Sequence, residues 1–343
     1  MTPQVTLDAG RCVHARIETA SCRLCVDVCP HRAWHLDDEG LDLSLADCDG
    51  CGLCAAACPT RAIDAPIGRV VRRRLKGRPV LLAACEQALP EGGAGVLTCL
   101  HAIAPADLLR QWRLGERIWL VTTAECASCP RAGTASFTSR IEHVNRLLEA
   151  RGEALIQVKR LPLTRWRHVR EAAADATVAR RGFLQRLLSR PATVLREKPA
   201  HTGRAEERAP PGQYLPGPGP LPWTIRLDPQ ACVACHACLR VCPEQALQLE
   251  QGPAEAPGLS SLHLVHARCT GCGLCVDVCE HQSIRVEAWA EPERARIPLR
   301  DAVCRRCGAP FQMPAERADS SGLCWVCTRN RSAPRLYQVV DAA

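Results

Sequence analysis

Cys48, Cys51, Cys54 and Cys58 are spaced C-x2-C-x2-C-x3-C, and Pro59 follows the last of them. Cys232, Cys235, Cys238 and Cys242 repeat the spacing with Pro243. Cys269, Cys272, Cys275 and Cys279 repeat it again, with Glu280 in the proline position. A short loop of this kind offers three thiolates at three-residue intervals to one inorganic cluster. The fourth cysteine leaves the loop and reaches a neighbouring cluster. Glycines at 50, 52, 271 and 273 let the backbone approach closely. The stretch CVHARIETASCRLCVDVCP, residues 12–30, is a looser version: Cys22, Cys25, Cys29 and Pro30 keep the end of the run, and Cys12 stands apart.

The 24 cysteines of this 343-residue chain fall into four blocks, at residues 12–58, 85–129, 232–279 and 304–327. The chain is too long for a small disulfide-stapled module. Its opening residues, MTPQVTLDAG, show no charged n-region or apolar h-region, so no secretory signal is expected. No apolar run of about 18 residues predicts a membrane span. Cysteine-rich and without an export signal, the chain reads as cytoplasmic and metal-binding. Aromatic residues are only 3% of it, so metal sites are expected to nucleate much of the folding. The net charge of +8 is spread along the chain and reads as a solvated surface, with an acidic partner or nucleic acid as the other possibility.

The two eight-cysteine blocks resemble the bacterial two-cluster ferredoxins, over roughly residues 5–67 and 223–290. The resemblance implies ligand sets. Cys232, Cys235, Cys238 and Cys279 would hold one 4Fe–4S cluster; Cys269, Cys272, Cys275 and Cys242 would hold its neighbour. Cys48, Cys51, Cys54 and Cys29 would hold a third. Cys22, Cys25 and Cys58 would hold the fourth with Cys12, because six four-ligand sites use all 24 cysteines. Residues 13–21 then form an excursion over that site, which could shield it or dock a partner. Glu280 is expected to perturb its loop without losing a ligand. Zinc sites also use C-x2-C pairs, but they rarely need triplets followed by proline. CVACH, residues 232–236, matches a c-type haem attachment pattern but lies inside the longer run. ARRGFLQRLL, residues 179–188, looks like a twin-arginine signal; it is internal and reads better as a basic amphipathic helix.

Residues 79–162 differ. PVLLAAC, GVLTC, RIWLVTTAEC and ALIQVKRL read as strands; PADLLRQWRL and FTSRIEHVNRLLEARG read as helices. The alternation predicts a parallel sheet flanked by helices. Cys85, Cys99 and Cys126 fall at carboxyl ends of expected strands, where ligands gather, and Cys129 at a helix start. The C…C…C-x2-C order resembles the delta subunit of methyl-viologen-reducing hydrogenase. That resemblance implies a 2Fe–2S cluster on Cys85, Cys99, Cys126 and Cys129; buried structural cysteines, or zinc, are the alternatives. In the last block Cys304, Cys307, Cys324 and Cys327 form two C-x2-C pairs sixteen residues apart, with a glycine after the first. This resembles a zinc ribbon with a closed structural site, and rubredoxin-type iron is the rival.

The expected fold is therefore α+β and multidomain. It comprises a ferredoxin-type domain (1–70), an α/β parallel-sheet domain (71–165), a helical segment (166–197), a Pro/Gly-rich linker (198–222), a second ferredoxin-type domain (223–295) and a zinc-ribbon-like domain (296–343). No G-x-G-x-x-G, P-loop or catalytic triad pattern is present, and EGGAGV, residues 91–96, precedes a strand. His14, His31, His35, His101 and His281 lie near cysteines and read as hydrogen-bonding residues. The expectation is an electron-transfer protein, a non-catalytic subunit relaying electrons in a larger oxidoreductase. Resemblance points to a complex of hydrogenase, formate dehydrogenase or heterodisulfide reductase type. A nucleic-acid-binding or regulatory protein, motivated by RVVRRRLKGR at residues 69–78, and a cluster-assembly factor are the competing readings.

Overall fold

Proline after a cysteine run governs where the short helices stop. The computed structural model describes residues 5–131, 136–172, 209–251, 260–318 and 321–329. The first region contains β1 (Thr6–Leu7), α1 (Leu24–Val28), β2 (Trp34–Asp37), β3 (Gly40–Leu43), α2 (Leu53–Ala57) and β4 (Ile63–Asp64). Helices α1 and α2 end at Cys29 and Cys58, both extended, because a residue before proline is driven out of the helical region. β1 pairs antiparallel with β4, and β2 with β3.

The middle region follows with β5 (Val71–Leu75), β6 (Arg78–Cys85), β7 (Val96–Leu97), α3 (Pro105–Arg113), β8 (Ile118–Thr122), α4 (Phe137–Ala150) and β9 (Gln157–Arg160). Strands β7, β8 and β9 join β6 in a parallel arrangement, and β5 adds an antiparallel edge. The basic run at 69–78 is thus an edge hairpin, and Arg72 bonds Glu116 and Gln111. Charged side chains on such an edge discourage pairing with other chains. β6 is buried on both faces. Leu81, Ala83 and Cys85 face α3 and α4; Val80, Leu82 and Ala84 face Trp166 on the opposite side. Residues 163–172 are helical there, and the expected helix at 179–188 lies outside the described residues.

The third region repeats the order of the first: β10 (Leu221–Leu227), α5 (Ala237–Val241), β11 (Leu247–Glu250), β12 (Ser261–Leu264), α6 (Leu274–Asp277) and β13 (Ile284–Ala290). β10 pairs antiparallel with β13, and β11 with β12. β14 (Arg296–Val303), β15 (Pro310–Pro314) and α7 (Trp325–Arg329) complete the chain. β14 changes partner midway, pairing with β12 through Arg296–Pro298 and with β15 from Leu299 onward. The sequence boundary at 295/296 therefore falls inside a continuous four-stranded sheet.

The expected linker also differs in its described part. Residues 209–222 are not a free tether: Leu215 and Leu221 enter the core of the middle region. The Arg151 guanidinium donates to the carbonyls of Pro216, Gly217 and Pro220 at 2.6–2.8 Å. Trp289 of β13 stacks on His143 of α4, with centroids 5.5 Å apart. The prolines and glycines predict a flexible or extended linker; in the described part a single arginine satisfies several of its carbonyls and holds it in place.

Leu81 is fully buried at the centre of this packing. Leu81→Ala is expected to destabilise the middle region by about 2–5 kcal/mol, because the neighbouring strands cannot collapse into the space. An unchanged urea midpoint, followed by tryptophan fluorescence, would contradict this packing.

Candidate metal centres

Each fourth cysteine is followed by the same turn. The backbone N–H groups of Arg32, Arg61, Gln245 and Gln282 donate to the carbonyls of Cys29, Cys58, Cys242 and Cys279, three residues earlier, at 3.0–3.3 Å. All four residues have φ between 49° and 51°, an unfavourable region for side chains of this size. One residue further on, the N–H groups of Ala33, Ala62 and Ala246 donate to the sulfurs of Cys29, Cys58 and Cys242 at 3.2–3.4 Å. At the fourth turn the Ser283 hydroxyl lies 3.3 Å from the Cys279 sulfur. Donors aimed at sulfur favour the thiolate. Glu280 leaves this turn intact, since Gln282 has the same conformation as its three counterparts.

The loops before these turns are equally constrained. Gly271 has φ 76°, and a Cβ there would lie 2.4 Å from the Trp223 ring. In the preceding run the corresponding positions are Ala234 and His236, at φ 50° and 61°. His236 therefore caps α5 within the cysteine loop, which accounts for the haem-like CVACH pattern.

The structure brings the sequence-derived sets together. Burial raises the Cys22 thiol pKa, and Cys58 and Cys12 add to the rise. Cys25 is pushed up to about 12 by burial, with Cys22, Cys58 and Cys12 adding to it. Cys12 reaches this group because the excursion closes on itself: the His14 imidazole Nε2 bonds the Cys22 carbonyl at 2.7 Å. Burial pushes Cys51 up to about 12 and Cys54 up to about 11, and Cys29 and Cys48 add to the latter. Cys232, Cys235, Cys238 and Cys279 line one small cavity. Cys238 is pushed up to about 12 by burial, with the other three contributing. Burial raises Cys269 to about 12, and Cys272 and Cys242 add to it; Cys275 is raised further by burial, with the same three sulfurs adding. Thiols this buried hold their protons at neutral pH unless a cationic group replaces them, so the donor sets fit metal binding.

A cavity of about 270 Å³ is lined by Cys85, Cys99, Cys126 and Cys129. Burial pushes Cys99 up to about 11, with Cys85 and Cys129 adding to it. Only Cys85 ends a strand; β7 stops two residues before Cys99, and β8 four residues before Cys126. Nor does Cys129 start a helix. Its N–H bonds the Cys126 carbonyl in a turn, Pro130 disfavours helix at Cys129, and α4 begins only at Phe137. Sequence reading also missed Arg131, whose side chain is about 10% exposed and joins this cavity to the first region. It donates to Asp49 at 2.5 Å, to Glu86 at 3.0 Å and to the Thr98 carbonyl at 2.7 Å. Its partners are distant in sequence, so no local pattern announces it.

Cys304, Cys307, Cys324 and Cys327 are spaced differently from the other sets. Their sulfurs all lie within 4.8 Å of one another, and no other group of three or more such donors does so among the described residues. The Cys307 and Cys324 sulfurs are 3.9 Å apart. Ligands about 2.3 Å from one tetrahedral ion stand about 3.8 Å apart, so this set has single-ion dimensions. The Cys324 N–H, with those of Cys307 and Arg306, pulls Cys304 down to about 6, which leaves a thiolate available. Among the histidines, His101 Nδ1 accepts from the Phe137 N–H at 2.7 Å, and His31 faces Asp49.

A family model for the 4Fe-4S dicluster domain matches residues 20–63, and a second one, also described as a 4Fe-4S dicluster domain, matches residues 231–282. The first match begins beyond Cys12. Over 59 residues the chain is 37% identical to the ferredoxin:CoB-CoM heterodisulfide reductase A subunit of Methanosarcina mazei. It is equally similar to the ferredoxin/F(420)H(2)-dependent CoB-CoM heterodisulfide reductase A subunit of Methanosarcina acetivorans. The aligned stretch is 17% of this chain and 7% of each relative. The chain thus carries two 4Fe–4S dicluster ferredoxin domains, with places for up to four 4Fe–4S clusters.

If Cys12 is a ligand, Cys12→Ala converts one cluster into a three-iron or labile form. Iron per chain should fall by about one, with a new EPR signal in the oxidised protein. Unchanged iron and EPR would show Cys12 to be a bystander.

Proposed function

We propose that this chain is a polyferredoxin, a non-catalytic subunit that relays electrons within or to a larger oxidoreductase. The observation that carries the reading is the cysteine turn repeated four times, with backbone or hydroxyl groups aimed at sulfur. Bound iron–sulfur clusters would supply one-electron redox chemistry. The chain's own residues bury or partly cover most of the sulfurs and direct hydrogen bonds at several of them, which tunes potential.

Four ligand sets take 4Fe–4S clusters in this reading: Cys12, Cys22, Cys25 and Cys58; Cys29, Cys48, Cys51 and Cys54; Cys232, Cys235, Cys238 and Cys279; and Cys242, Cys269, Cys272 and Cys275. The cavity lined by Cys85, Cys99, Cys126 and Cys129 supports a 2Fe–2S cluster, since it gathers four thiols around a larger space than one ion needs. The compact set of Cys304, Cys307, Cys324 and Cys327 supports a structural zinc with no open position. Similarity to the heterodisulfide reductase proteins favours a complex of that type, ahead of the hydrogenase or formate dehydrogenase type. Among the described residues no helix is long and apolar enough to cross a membrane.

Anaerobic purification with metal and sulfide counting tests the assignment. About eighteen irons and one zinc per chain are expected. A colourless protein without EPR signals on reduction would overturn the function. About sixteen irons would remove the 2Fe–2S assignment alone, and one further iron in place of zinc would make the last set rubredoxin-like.

A further inference from the structure

We propose that the six cysteine sets stand in single file, and that the two halves of the chain meet redox centre to redox centre at the contact of Ser21 with Asp277. The inference rests on the function proposed above and adds an order that it does not contain. It also gives the excursion between Cys12 and Cys22 a role, as a bracket between domains.

Each junction is a named contact. At one end, Thr98 beside Cys99 donates its hydroxyl to the Cys51 carbonyl at 2.9 Å. Arg131, two residues after Cys129, grips Asp49 between Cys48 and Cys51. The 85/99/126/129 set therefore abuts the 29/48/51/54 set. Within the first domain, Cys25 and Cys54 are buried in one shared core, with Cys29, Cys48 and Cys58 packed against it, which places the 12/22/25/58 set next. The crossing follows. The Ser21 N–H and hydroxyl donate to the two Asp277 carboxylate oxygens at 2.9 and 2.7 Å. Ser21 adjoins Cys22, and the Asp277 carboxylate leans over Gly273, between Cys272 and Cys275. Cys269 and Cys275 in turn share one buried core with Cys232, with Cys238, Cys242 and Cys279 packed against it, which leads to the 232/235/238/279 set. Finally Arg317 donates to the Cys232 carbonyl at 2.6 Å, and Arg329 pairs with Glu280 at 2.5 Å, which joins the 304/307/324/327 set to that end.

The halves also touch through Trp289 on His143 and through the Arg151 bonds. None of those residues is within two positions of a cysteine. Among the described residues, Ser21–Asp277 is a polar contact between halves that couples one cysteine loop to another.

The test is an EPR-monitored redox titration of the full, anaerobically purified chain. The Asp277 carboxylate opposes the arrival of an electron at any centre it faces. Asp277→Asn should raise two midpoint potentials. One belongs to the 242/269/272/275 centre; the other belongs to the centre that Cys12→Ala converts or abolishes. Ser21→Ala removes a donor and leaves the carboxylate less compensated, so the same two potentials should fall. Full iron content with effects confined to C-terminal centres, or reaching the 29/48/51/54 centre instead, would overturn the order while sparing the function. Absent iron and EPR signals would instead defeat the function.

Discussion

Crowded, buried sulfur is the constraint on which this molecule depends. Burial first, and neighbouring negative groups after it, lift the thiols of Cys25, Cys51, Cys238 and Cys269 to about 12. Left as neutral thiols, these groups contribute small apolar volumes and weak hydrogen bonds. Held as thiolates, they repel one another in a medium that solvates charge poorly. Both cysteine-rich cores pack aliphatic side chains around the sulfurs and hold few aromatic ones, Trp34 in the first and Trp223 in the second. Most of the described aromatic packing lies instead in the middle region, where Trp112, Trp119, Trp166 and Phe137 are buried. The chain therefore places its aromatic-rich core between the two cores that gather sulfur.

Much of this was legible in the primary structure, because spacing is a geometric statement. Cysteines three residues apart can reach one cluster, and a proline after the fourth stops the helix there. The strands of the middle region were legible from apolar runs such as PVLLAAC, buried on both faces. What escaped were contacts whose partners are far apart in the chain. Arg131 joins Asp49, 82 residues away, and nothing near CASCPR signals it. Arg151 holds carbonyls 65–69 residues away and turns an expected tether into packed structure. The left-handed residues after each fourth cysteine were also hidden, since Arg and Gln do not advertise positive φ as glycine does. The helix expected to start at Cys129 failed for a local reason, the proline that follows it.

The division of the chain into modules needs the same revision. The middle region shares its core with Leu215, Leu221, Tyr214 and Trp289 from beyond the Pro/Gly-rich stretch. It also lends Cys99 and Ala102 to the core of the first region. Two domains related by an internal repeat, and separated by more than 150 residues, become neighbours by packing against one intermediary.

The change of partner midway along β14 has a consequence for quality control. β12 is bonded on one side by β11 and on the other by the first half of β14, while the second half of β14 leads through β15 to the compact cysteine set. If that set holds the structural ion proposed for it, losing the ion would loosen the hairpin from its free end, and β12 would become a bare sheet margin carrying Leu262 and Leu264. Exposed margins of that kind recruit other chains. An ion held there, in the proposed reading, would then guard the neighbouring domain against self-association.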